Sequence, residues 1–123
     1  MQVPGFLARQ FYVKGSLRNT EGGFQLEAHN PMGQGTLVGV GRIAVDGQTI
    51  EPGLVRAVRA GETEPIHAAE VSRERPIRVD KGDRVTLHIS AAPLSPGDHR
   101  LDVELEEAGI GRLSFSVKDR LAT

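Results

Sequence analysis

Hydrophobic residues recur at every second position through much of the chain, the spacing of a half-buried β-strand. In Arg84–Ser90, Val85, Leu87 and Ile89 share one face, and Arg84, Thr86, His88 and Ser90 share the other. Leu101, Val103 and Leu105 repeat the pattern, with Arg100, Asp102, Glu104 and Glu106 outward. Leu113, Phe115 and Val117 repeat it again, with Arg112, Ser114, Ser116 and Lys118 outward. Nearer the N-terminus, Phe24, Leu26 and Ala28 alternate with Gln25, Glu27 and His29. Phe11, Val13 and Leu17 are placed on one face of an earlier strand, where Gly15 marks a bulge or a close backbone approach.

Turn-formers separate these runs. The segment Asn19-Thr20-Glu21-Gly22-Gly23 joins the first two alternations, and Lys81-Gly82-Asp83 and Ser95-Pro96-Gly97-Asp98 flank the Val85 strand. Asp46-Gly47, between Ile43-Ala44-Val45 and Gln48-Thr49-Ile50, is a tight-hairpin signal, and residues 107–111 join the last two strands as a hairpin. The glycine-rich residues 33–41 read as an edge strand with a bulge leading into the Asp46-Gly47 turn. Only residues 63–71 have a helical look, and they predict a single turn or 3-10 piece before Arg75-Pro76 returns the chain to an extended form. About eight strands at this spacing predict an all-β fold, an antiparallel β-sandwich of jelly-roll or immunoglobulin-like strand order, as a single domain over residues 1–123.

Composition narrows the chemistry. The chain has no cysteine, which excludes disulfides, thiolate nucleophiles and cysteine-ligated metal sites. Fifteen Lys and Arg against sixteen Asp and Glu leave a net charge of −1, too little field to draw a nucleic acid. Aromatic residues are 4% of the chain with no Trp, which argues against stacking platforms for sugars. No stretch predicts a membrane span or a secretory leader, so the expected location is cytoplasmic.

The polar residues form no recognised catalytic pattern. His29, His67, His88 and His99 lack metal-motif spacing. His67 and Glu70 read as polar residues of an exposed turn, His88 as outward-facing, and His99 as an imidazole bonded to loop backbone. Glu104, Glu106 and Glu107 read as a solvated acidic strand, and no serine lies in a G-x-S-x-G or S-x-x-K context. The glycine pairs at 33/35 and 39/41 open no helix and so make no phosphate cradle. Arg56, Arg59, Arg73, Arg75 and Arg78 give a mildly basic middle, read as mixed surface charge or a protein-docking face.

Three stretches together carry a family resemblance. They are residues 12–30 (YVKGSLRNTEGGFQLEAHN), 94–119 (LSPGDHRLDVELEEAGIGRLSFSVKD) and 45–55 (VDGQTIEPGLV). In these the chain resembles the small β subunit of bacterial C-glycoside deglycosidases. The resemblance implies a two-chain, hetero-oligomeric enzyme that cleaves the sugar–aglycone carbon–carbon bond of a 3-oxo C-glycoside. The metal, commonly manganese, and the acid–base groups would sit on a TIM-barrel α subunit, with no cofactor in the present chain. It assigns no catalytic, cofactor-binding or metal-binding residue here. It leaves one candidate partner-facing loop, Asn30, Pro31, Met32, Gly33 and Gln34, at the start of the glycine-rich stretch. The alternatives are a stand-alone β-sandwich binding or structural module and a small self-sufficient enzyme.

Overall fold

A computed structural model describes residues 2–122. Among the described residues one seven-residue helix, α1 (Gly5–Phe11), precedes the strands. Ten strands follow: β1 (Arg18–Thr20), β2 (Gly23–His29), β3 (Gly35–Val45), β4 (Gln48–Ile50), β5 (Val55–Arg59), β6 (Ile66–His67), β7 (Ile77–Val79), β8 (Arg84–Ser90), β9 (Asp98–Glu107) and β10 (Gly111–Arg120). They form two antiparallel sheets. One has the order β1-β2-β8-β5-β6, and the other the order β10-β9-β3-β4, with β7 beside the first residues of β3. The architecture is the expected all-β sandwich. The chain crosses between sheets after β2, β4, β6, β7 and β8. No described helix is long and apolar enough to cross a membrane.

Local chemistry explains the elements that sequence periodicity located. Asp46 (φ 52°) and Gly47 (φ 84°) both take positive φ, the geometry of a two-residue hairpin turn, and hold Val45 opposite Gln48. Gly23 opens β2 because only glycine fits: a Cβ there would stand 1.9 Å from the carbonyl oxygen of Ile89. The short helical piece in 63–71 is a 3-10 turn at Ala68–Glu70, preceded by β6.

Three expectations are corrected. Phe11, Val13 and Leu17 do not share a strand. Pro4 caps α1, its carbonyl accepting from the N–H groups of Leu7 (3.0 Å) and Ala8 (2.9 Å), and the helix-forming run Leu-Ala-Arg-Gln outweighs the short alternation. Gly15 lies in a turn after that helix at φ 85° rather than at a strand bulge. Residues 33–41 are not an edge strand: β3 is an interior strand, with β9 on one side and β4 and β7 on the other. The pairing is irregular where a bulge is expected: the β3–β9 register shifts between Leu37 and Gly39 and again between Val40 and Ile43. Strands β1, β6 and β7, each of two or three residues, are too short to show a period.

The core is not evenly closed. At one end Leu17, Phe24, Ile89 and Val45 are all 5% exposed or less. Along β2, β8, β9 and β3, the inward residues Ala28, Val85, Leu105 and Leu37 at the other end are only half-buried. The sheets meet tightly at the first end and gape at the second.

Candidate functional site

The gape is a cavity of about 600 Å³ between the sheets. One wall is Leu26, Ala28, Val55, Ala57, Val85 and Leu87. The facing wall includes Leu37, Ile43, Val103, Leu105 and Leu113. The period-two alternation makes these walls, since each strand turns one apolar face inward. Ala8, Phe11 and Tyr12 of the N-terminal segment close one side, where the Phe11 and Phe115 rings lie 5.2 Å apart. The volume falls within the roughly 300–1,000 Å³ occupied by small-molecule sites.

Polar groups gather at the open end. Asn30, Met32, Gly33 and Gln34, four residues of the candidate loop, line the cavity there, while Pro31 does not. Asn30 shapes this loop: its side-chain amide donates to the Gly33 carbonyl (2.6 Å), and its Oδ1 accepts from the Met32 N–H (3.2 Å). Met32 and Ile110 are each 61% exposed at this rim. Glu107 also lines the cavity, and its carboxylate accepts from the N–H groups of Thr36 (3.0 Å), Gly109 (2.7 Å) and Ile110 (2.9 Å). Those bonds, led by Thr36, hold its carboxyl below the usual range.

Arg59 is the exception on the apolar wall. It follows Val55 and Ala57 on the inward face of β5 and is paired across the sheet with Val85. Its terminal nitrogen donates to the Arg78 carbonyl, but its Nε is buried without a hydrogen-bond partner among the described residues. His29 Nδ1, at the end of β2, is in the same condition, and both residues line the cavity. Sequence parity did not single out Arg59, because the run Val-Arg-Ala-Val-Arg places an apolar residue on each face.

The other polar residues serve the sandwich. His99 is 6% exposed, with Nδ1 2.6 Å from Asp46 Oδ2 and Nε2 2.7 Å from the Ser95 carbonyl. The Asp46 bond, then the Ser95 bond, raise its pKa. Asp119, paired in register with His99, accepts from Gly15 N–H (2.9 Å) and from the Tyr12 hydroxyl. Burial, then the Asp119 bond, push the Tyr12 pKa up. His88 lies on the outer sheet face, where partial burial and then Arg56 lower its pKa. His67 and Glu70 are exposed, and Glu70 faces Arg75 at 3.6 Å. Glu104 and Glu106 lie across Gly41 and Gly39 of β3. The arginines do not form one patch, since Arg73 meets Glu106 at 3.8 Å while Arg59 turns inward. Among the described residues, no group of three or more His, Asp or Glu side chains is arranged to hold a metal ion.

A family model described as the hydroxymethylglutaryl-CoA reductase N-terminal domain matches residues 7–122. No curated protein matches the chain. The family match overturns the resemblance to C-glycoside deglycosidase β subunits. The stretches that carried that resemblance are turns and strand alternations, here the Asp46-Gly47 hairpin and the β9–β10 hairpin, which any sandwich with those turns needs.

Proposed function

Because the chain belongs to the hydroxymethylglutaryl-CoA reductase N-terminal domain family, we propose that it is a non-catalytic β-sandwich module whose inter-sheet cavity takes up an apolar ligand. The observation that carries this reading is the roughly 600 Å³ cavity, walled by aliphatic side chains and open at one end. The family description names one domain of an enzyme that acts on an acyl-CoA. Reduction of such a thioester requires a hydride donor, and the usual dinucleotide cradle is a glycine-rich turn opening a helix. The one α-helix of the described residues opens on Pro4 and is seven residues long. In this reading the redox chemistry belongs to another domain or chain, and this one contributes binding. The reading places the chain in the cytoplasm, in keeping with its lack of cysteine.

A binding assay tests it. The chain has no Trp, so the emission of N-phenyl-1-naphthylamine can be followed against little background. The probe is expected to bind the wild type saturably. Ala57→Phe and Val85→Phe, which fill the cavity from one wall, are expected to abolish binding while leaving a cooperative thermal transition. Undiminished binding in both variants, or none to a folded wild type, overturns the reading.

An accessory-subunit reading is favoured by a separate observation, the exposed Met32 and Ile110 on the cavity rim. It expects a partner that carries the chemistry to cover that rim. Met32→Ser with Ile110→Ser would then release the partner in size-exclusion chromatography.

A further inference from the structure

We infer that the cavity's ligand is a long-chain carboxylic acid, its alkyl chain between the sheets and its carboxylate on Arg59; this rests on the binding reading proposed above. A guanidinium has five N–H donors, and a charged donor buried without an acceptor is among the costlier defects a fold can carry. Arg59 satisfies its terminal nitrogen on the Arg78 carbonyl yet leaves Nε sequestered at an apolar wall. A neutral side chain in this position would avoid the cost and extend the wall begun by Val55 and Ala57.

The groups around Arg59 point to a ligand acceptor. The two carboxylates that share the cavity lining are already engaged. Glu107 is held by three backbone N–H groups, and Asp83 Oδ2 accepts from the Asp80 N–H at 2.8 Å. The unpaired buried polar atoms among the described residues are Arg59 Nε, a donor, and His29 Nδ1, which donates or accepts according to its tautomer. Arg59 is the charged one of the two and its guanidinium lacks a counter-charge among the cavity's aliphatic walls, which a carboxylate supplies in a charge-assisted pair. The remainder of the space is aliphatic and about 600 Å³, which an alkyl chain fills without any further polar contact.

Dodecanoate and dodecan-1-ol separate the head group from the tail. Each is titrated, below its aggregation limit, as a competitor of N-phenyl-1-naphthylamine on the full chain. The acid is expected to displace the probe at least about tenfold more tightly than the alcohol, the scale of a hydrogen bond to a charged group. In Arg59→Gln that ratio is expected to fall to near one with alcohol binding unchanged, and Arg59→Lys, which keeps the charge, to retain part of it. Equal displacement by acid and alcohol in the wild type overturns the carboxylate assignment while leaving the apolar cavity reading intact. The same ratio in Arg59→Gln overturns the role of Arg59. Displacement by neither, with the probe bound, overturns the long-chain guest, and failure of the probe itself removes the reading on which the inference stands.

Discussion

His99 shows how much one residue's protonation is worth to this fold. Both ring nitrogens face acceptors, the Asp46 carboxylate and the Ser95 carbonyl, so both must carry hydrogen and the folded state selects the imidazolium. Its raised folded pKa means that its stabilisation is complete below the unfolded value, near 6.5, and is lost as pH rises through the folded pKa. Asp46 has the opposite sign. Its pKa is lowered, first by the Arg100 N–H and then by His99, so its contribution is present above the ordinary carboxylate range and is lost as pH falls through the depressed value. Urea midpoints should therefore be higher at pH 5.5 than at pH 8.5, and His99→Gln should remove that difference. An unchanged pH slope in His99→Gln would show that the imidazolium is not the source. Gly23 is a steric counterpart. Gly23→Ala drives a Cβ into the Ile89 carbonyl and is expected to cost about 3 kcal/mol in the same denaturation experiment.

At the scale of elements, legibility followed length and one-sidedness. Strands β2, β8, β9 and β10 run for seven to ten residues with one apolar face, and the alternation located all four. The Asp46-Gly47 turn was legible because its geometry needs those residue types. Helix α1 was not, because its seven residues give fewer than two full periods and Phe11 and Val13 mimic alternation across its end. The interior place of β3 was also hidden, since its glycines suggest an edge yet serve to let Glu104 and Glu106 of β9 lie across them. The cavity itself was not legible in the sequence. The loop from Asn30 to Gln34 reads there only as a partner-facing candidate, and Arg59 enters the cavity through a strand whose two faces look alike. Strand β9 also carries the contrast between the two ends. Both Leu101 and Leu105 line the cavity, but Leu101 is 3% exposed at its closed end, whereas Leu105 lies half-buried at the gape. Leu101→Ala should cost about 3 kcal/mol and Leu105→Ala only about 1 kcal/mol, because the second site has little packing to lose. Equal costs in urea titrations would mean that the two ends are equally well packed.

The whole molecule is a sandwich pinned at one end. There Tyr12 and Gly15 hold Asp119, the Ala122 N–H bonds the Leu17 carbonyl at 2.8 Å, and His99 ties β9 to the Asp46 turn. At the other end the sheets are separated by the cavity, and the local order depends on loop bonds such as Gly82 N–H to the Asn30 carbonyl at 2.7 Å. Few buried contacts and exposed backbone bonds are the conditions for local opening below the global unfolding free energy. Amide hydrogen exchange should therefore grade along single strands. In β8 the amide of Ile89 should exchange only with global unfolding, while those nearer Val85 exchange by opening of the gape. A ligand that bridges the sheets should slow exchange near Val85 and Leu37 strongly and near Ile89 only by the global stabilisation that mass action supplies. Uniform protection along β8 without ligand would show a sandwich as firmly closed at the cavity end as at the pinned one. A graded pattern that Ala57→Phe flattens would tie the gradient to the cavity itself, because the added ring restores the contacts the gape lacks.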